Sequence, residues 1–319
     1  MKRLFSLLCC AALALLLLGG CFNRSPSGAQ ETARTDAALN VYASFYPMGD
    51  FAEKIGGEHV DVVTMVPSGV EPHDWEPTAG DIAGLEGADV FIYSGAGMEH
   101  WAQDVLSALE SKDLVVVEAS SGIPLIEGGD GDNRADPHVW LNPLYALVQL
   151  ENIKDAFVRA DPEHKVDYEA NFARCADELK ALDREYRETL APIKNRDVIV
   201  AHQAFGYLCA AYGLNQIAIE GLSPDSEPAP ARVAELIDFA KEHKIAVIFF
   251  EELTSPAVAE TIADATGART DVLSPLEGLS DEQRQSGADY FSIMRKNLEK
   301  LGAALSAAGA AQPAPKATP

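Results

Sequence analysis

The 319-residue chain is 47% hydrophobic, which gives it the length and apolar content for two packed domains and excludes a disordered polypeptide. Its formal charge of -24 is spread along the chain without an acidic block. General electrostatics therefore exclude nucleic acid or an anionic membrane face as partners, and favour cations near the surface.

The N-terminus sets the compartment. Lys2 and Arg3 precede an apolar run from Leu4 to Leu18 that holds Cys9 and Cys10. That run is shorter than the roughly 20 residues needed to cross a bilayer core. It ends in Leu18-Gly19-Gly20-Cys21, which resembles the lipobox of bacterial lipoproteins. The resemblance implies cleavage before Cys21 and a diacylglyceryl group on its thiol. The mature chain would then be lipid-anchored at the extracytoplasmic face of the cell membrane, two acyl chains being enough for stable attachment. The expected organisation is a signal peptide at 1–20, a flexible tether at 21–38, an N-terminal lobe at 39–160, a linking helix at 161–192, a C-terminal lobe at 193–303 and a disordered tail at 304–319.

In the first lobe, strands at 39–45, 60–66, 89–93 and 114–118 alternate with helical patterns at 48–55, 78–85 and 99–109. Such alternation predicts a parallel sheet covered by helices. Glu127 to Ala135 is rich in Gly, Asp and Asn and reads as a loop. From Pro143 to Leu190 the pattern is helical only, broken at Asp161-Pro162, where Asp161 can cap the next helix. Phe172, Cys175, Leu179, Leu182, Tyr186 and Leu190 then recur on one face of a helix long enough to span two lobes. Alternation resumes with strands at 197–201, 214–219, 246–250 and 269–273, helices at 205–212, 230–243 and 256–266, and a last helix at 287–301. The predicted fold class is α/β, with two Rossmann-like lobes of parallel sheet joined by a long helix. Cys175 and Cys209 both fall on helices, and two buried thiols are expected rather than a disulfide.

Three histidines occupy special settings. His138 lies in Asp136-Pro137-His138-Val139-Trp140-Leu141-Asn142-Pro143, an extended segment fixed by its prolines. His73 lies in Val70-Glu71-Pro72-His73-Asp74-Trp75-Glu76-Pro77, and His202 directly follows the apolar run Val198 to Ala201. His73 and His202 both come after predicted strands, where open α/β sheets place their ligands. Neutral imidazole suits zinc and similar borderline metals, and a tetrahedral site needs a fourth donor. Glu277 is the candidate, with Asp271 almost as well placed. His59, His164 and His243 read as solvated surface residues, and His100 as lining a cleft rim. Glu251 and Glu252 could hold a helix end or a histidine of the site, and the structural role is favoured.

Further motifs are Ser44-Phe45-Tyr46-Pro47, His202-Gln203-Ala204-Phe205-Gly206-Tyr207, Glu227-Pro228-Ala229-Pro230, Phe249-Phe250-Glu251-Glu252 and Leu273-Ser274-Pro275-Leu276-Glu277-Gly278-Leu279. Together with the histidine segments they resemble the zinc and manganese specific solute-binding lipoproteins of bacterial ABC importers, cluster A-I, from Asn40 to Leu301. The resemblance implies a metal held in the cleft between the lobes and delivered to the permease of a metal importer. Its three histidine ligands fall on His73, His138 and His202. Histidine at 202, where manganese members usually carry a carboxylate, places the chain in the zinc branch, with Mn2+ the alternative to Zn2+. Two departures stand out: the 127–135 loop is short and has no histidine, and Ser274 stands where some members place an aspartate, which leaves Glu277 or water as the fourth ligand.

A zinc hydrolase would need an open coordination position, a general base and usually a compact motif such as His-Glu-x-x-His, which is absent. A surface adhesin is a third reading. The expectation is a monomeric binding protein, not an enzyme.

Overall fold

The computed structural model describes residues 38–127, 135–224 and 228–307. The expected signal peptide, Cys21, most of the tether, the tip of the 127–135 loop, Glu227 and the end of the tail lie outside the described residues.

The first lobe runs β1 (Leu39–Ala43), α1 (Tyr46–Gly56), β2 (Val60–Thr64), α2 (Ala79–Glu86), β3 (Val90–Tyr93), α3 (Ala102–Ala108) and β4 (Val115–Glu118). The second runs β5 (Asp197–Val200), α6 (Gly206–Tyr212), β6 (Asn215–Ala218), α7 (Pro230–Glu242), β7 (Val247–Phe250), α8 (Ala257–Thr266) and β8 (Arg269–Val272). Each sheet is parallel, with strand orders β2-β1-β3-β4 and β6-β5-β7-β8. Both orders reverse direction beside the first strand of the lobe, and the crevice at that reversal is where such sheets hold ligands.

Side-chain alternation explains the layering. Val90 and Ile92 enter a core shared by both lobes, whereas Phe91 and Tyr93 enter a separate outer core with Leu85 and Trp101. In the second lobe Val198, Val200, Val247 and Phe249 face the shared core, and Ile199 and Ile248 an outer one with Leu236 and Ile262. The shared core is completed by α4 (Pro143–Ala160), α5 (Lys165–Leu190) and α10 (Tyr290–Ala307), which follows the short α9 (Asp281–Gln285). The α5 helix has 26 residues, or about 39 Å at 1.5 Å per residue. Its apolar face, Cys175, Leu179, Leu182, Tyr186 and Leu190, is buried in that core along the whole length. Buried bonds tie the lobes at this layer: the Trp140 indole donates to Pro275 O at 2.8 Å, the Tyr290 hydroxyl to Trp140 O at 2.6 Å and the Tyr186 hydroxyl to Met294 O at 2.7 Å.

Three local readings change. The last helix continues to Ala307 and buries Ala304 and Leu305, so residues 304–307 are helical and not part of a disordered tail. The histidine segment is not extended throughout, because Val139–Leu141 forms one 3-10 turn before Pro143 starts α4 with Asn142 as its cap. Asp161 does not cap a single long helix. Pro162–His164 forms a separate 3-10 turn, and the Asp161 carboxylate is instead engaged by the His164 ring at 2.5 Å and the Tyr168 hydroxyl at 2.8 Å. Cys175 and Cys209 are both free and buried.

Candidate metal centre

Four loops at the carboxyl ends of strands converge. His73 arrives on the loop after β2 and His138 on the long loop between β4 and α4. His202 follows β5 directly, and Glu277 lies on the turn after β8. The donor atoms of these four side chains all lie within 4.8 Å of one another, and no other group of this kind occurs among the described residues. Asp271 is not in it: this carboxylate pairs with Arg269 at 2.7 Å and Lys300 at 3.3 Å, away from the histidines.

The geometry can be compared with coordination chemistry. Zinc bonds of about 2.0–2.1 Å to four tetrahedral donors place the donors about 3.3–3.4 Å apart. His138 Nε2 lies 3.2 Å from His73 Nε2, 3.3 Å from His202 Nε2 and 2.9 Å from Glu277 Oε1. Glu277 Oε1 is also 3.3 Å from His73 Nε2 and 3.4 Å from His202 Nε2. Five edges of a tetrahedron are therefore near their zinc-bound lengths. The donor set, three borderline nitrogens and one carboxylate oxygen, suits zinc better than the harder manganese ion.

Each buried imidazole is held from behind. Asp136 Oδ1 lies 2.8 Å from His138 Nδ1 and accepts the backbone N–H of the same residue at 3.0 Å, so the Asp-x-His spacing closes on itself. Glu251 Oε1 forms a close ion pair with His202 Nδ1 at 2.6 Å, without a directed hydrogen bond to that nitrogen, and accepts the His202 backbone N–H at 3.4 Å. Of the two roles open to Glu251 in the sequence, the structure shows the histidine-holding one, not the favoured helix-end role. Carboxylates behind metal-facing imidazoles fix the ring orientation and raise its basicity. Glu252 instead accepts from Gln283 at 2.8 Å.

The turn that carries Glu277 is strained and braced. Leu276 has φ of +61°, a left-handed conformation that costs a non-glycine residue about 1–2 kcal/mol. It is fully buried, and Ser274 is fixed by a reciprocal pair with Asn297, N–H to Oδ1 at 3.0 Å and Nδ2 to O at 2.7 Å. The bracing forces the next residue, Glu277, inward.

Charge follows from this packing. Burial raises the Glu277 carboxyl, but His202, His73 and the bond with His138 together hold it well below its usual range. Burial lowers His202, yet Glu251 and Glu277 push it well above the ordinary imidazole value. His138 is depressed by burial and raised overall by its bonds with Asp136 and Glu277. Half-buried Glu71, whose carboxylate accepts the His73 backbone N–H at 3.2 Å, is pushed up to about 8 by burial and by the charge of Glu277. The sequence alone assigns no role to Glu71 and Asp136. Their i, i+2 placement before His73 and His138 was the available signal.

The other histidines stay outside. His59 pairs with Asp167 at 3.1 Å and stacks on His164 at 3.9 Å, while His243 pairs with Asp197 at 2.7 Å. His100 pairs with exposed Glu76 at 3.2 Å, beside the Trp75–Trp101 ring contact.

Comparison with known proteins agrees with this chemistry. A family model described as the periplasmic component A of a zinc-uptake complex matches residues 41–304. The high-affinity zinc uptake system protein ZnuA of Bacillus subtilis is 41% identical over 302 residues, covering 91% of this chain and 94% of that protein. The zinc-binding lipoprotein AdcA of Streptococcus pneumoniae is 38% identical over 313 residues, 94% of this chain, which spans 60% of that longer protein. The solved Zn(II)-bound ZnuA-like domain of AdcA aligns with a TM-score of 0.77 at 39% identity, over 85% of this chain and all of that one. The laminin-binding protein Lmb of Streptococcus agalactiae, titled a bifunctional protein with adhesin and metal transporting activity, aligns at 0.78 and 33% identity over 84% of this chain and 100% of that one.

Proposed function

Since this chain belongs to the family of periplasmic zinc-uptake component A proteins, a family of solute-binding proteins and not of enzymes, we propose that it captures one zinc ion between its lobes as cargo for the permease of an ABC importer. His73, His138, His202 and Glu277 are the ligands in this reading. The observation that carries it is their tetrahedral spacing, 2.9–3.4 Å along five edges, at the meeting point of both sheets. A hydrolase would keep a coordination position open for water, whereas here a buried carboxylate fills the fourth corner.

Capture is an exchange of protons for metal. Elevated imidazoles around an ionised Glu277 keep the empty cluster together, and zinc displaces the protons because only neutral imidazole coordinates. The protein works as a monomer tethered through lipidated Cys21, so a Cys21→Ala chain is expected to leave the membrane fraction and take up no labelled palmitate. Elemental analysis of the purified protein, followed by competition between Zn2+ and Mn2+, tests the main reading. One zinc per chain that excess manganese does not displace is expected, and bound manganese resisting excess zinc overturns it. The likeness to Lmb supports laminin binding as a second role, which surface plasmon resonance with immobilised laminin decides.

A further inference from the structure

The segment after β5 does two things at once. It carries His202 into the cluster, and four and five residues later, at Gly206 and Tyr207, it meets the residue that orients the other fully buried imidazole, His138. The Tyr207 hydroxyl, on the first turn of α6, donates to Asp136 O at 2.8 Å and accepts the backbone N–H of Ile126 at 2.9 Å. Ile126 and Asp136 are the two sides of the stem of the 127–135 loop, also joined by the Asp136 N–H to Ile126 O bond at 2.9 Å and the Glu127–Ala135 bridge. One hydroxyl of the second lobe thus closes a loop stem of the first.

Gly206 shows how close the approach is. A Cβ there would lie 2.5 Å from Asp136 Oδ2, closer than any side chain permits. Asp136 is 1% exposed, its Oδ1 is committed to His138 and its Oδ2 has no hydrogen-bond partner among the described residues. The orientation of that carboxylate, and through it of the His138 ring, therefore rests on backbone anchoring and on the glycine surface behind it.

We propose that Tyr207, with Gly206, is a positioning residue for zinc. The pair docks the second lobe onto the stem and so sets Asp136 and the His138 imidazole only when the lobes are together. The proposal rests on the ligand reading given above. It makes the two lobes interdependent, because His202 and the seat of the His138 holder travel on one rigid segment.

The test uses the full chain and zinc alone, with dissociation timed against a chromophoric chelator. Tyr207→Phe is expected to speed zinc release about 5- to 10-fold, at the lower end of what loss of outer partners costs metal sites. It should also change the visible spectrum of the Co2+-substituted protein. Tyr186→Phe is the control. It removes an equally buried hydroxyl that donates to a backbone carbonyl of α10 at 2.7 Å rather than to any residue that holds a ligand, and should lower melting temperature while leaving release rate and spectrum unchanged. Gly206→Ala should reproduce the Tyr207→Phe phenotype by pushing Asp136 aside. Tyr207→Phe and Gly206→Ala both matching the parent in release and spectrum, or Tyr186→Phe changing them as much, overturns the proposal. A parent chain that binds no zinc would refute the ligand reading instead, which keeps the two failures distinct.

Discussion

The two lobes have the same strand order but use the crevice at its reversal in opposite ways. In the second lobe, the end of β5 supplies His202 and the end of β7 supplies Glu251 behind it, so the crevice is part of the proposed metal centre. In the first lobe, the crevice between β1 and β3 is filled by the protein itself. Glu99 Oε1 accepts from the Ser44 hydroxyl at 2.6 Å and the Ser94 backbone N–H at 2.8 Å, and Oε2 accepts from the Gly95 N–H at 2.9 Å. Gly95, at φ of +83°, has no room for a Cβ beside Glu118 and Ser120. With its strand ends occupied, the first lobe must bring His73 and His138 in on long loops. The lesson is that one topology supports a short, self-braced pair of donors on one side and a long-reaching pair on the other.

The sharpest break in this comparison is removal of a fully buried donor from either lobe. His202→Ala and His138→Ala are each expected to weaken zinc binding more than about 100-fold, beyond the 10- to 100-fold range typical of outer partners. Calorimetric titration measures it, and a much smaller loss for His138 would mean that the first lobe contributes little. Next comes the carboxylate. Glu277→Ala should weaken binding at least about 10-fold, or about 1.4 kcal/mol, because it leaves the 2+ charge uncompensated in a buried site. Asp271→Ala should leave affinity within about twofold, since Asp271 serves Arg269 and Lys300.

Much of this was legible in the sequence, for physical reasons. Short β-branched runs between amphipathic stretches set the alternation of strands and helices, and the strands differ from expectation only at their ends. The three histidines stood out because each sat beside proline or a strand end. The fourth donor was harder. Whether Glu277 or Asp271 faces inward depends on the left-handed Leu276 and on the Ser274–Asn297 pair, both tertiary properties. Glu251 was misjudged because a carboxylate after a strand has many possible partners, and only the β5–β7 pairing brings it to His202. Tyr207 acts through backbone groups of distant segments, and Glu99 through the distant Ser44 hydroxyl and the nearby Ser94 and Gly95 N–H groups, and neither set of bonds leaves a periodic trace.

Proton competition refines the comparison. The raised His202 and His138 stabilise the metal-free fold below the unfolded imidazole pKa of about 6.5, and this contribution is lost as pH rises through their higher folded values. Zinc needs the same rings neutral. The melting-temperature increment given by saturating zinc should therefore grow from pH 5.5 to pH 8, and an increment independent of pH would argue against an imidazole-dominated site.

The smallest effect on zinc is expected at Glu99, which makes it the most discriminating test of why the lobes differ. If Glu99 only fills the first lobe's crevice, Glu99→Ala strands the Ser94 and Gly95 N–H groups and the Ser44 hydroxyl. An unsatisfied buried donor costs about 1–3 kcal/mol, less where water enters the space left behind. Burial raises the Glu99 carboxyl despite its three donors, so the stability carried by its protonated form is lost as pH rises from the unfolded carboxyl pKa through the folded one, and above that the desolvation cost partly offsets the bonds it accepts. Denaturant unfolding should thus show a loss of about 1–3 kcal/mol for Glu99→Ala. Zinc affinity per folded molecule should stay within about twofold, because Glu99 touches none of the four donors. A large fall in zinc affinity without loss of stability would mean that the first lobe's crevice also serves the metal, and the contrast between the lobes would fail.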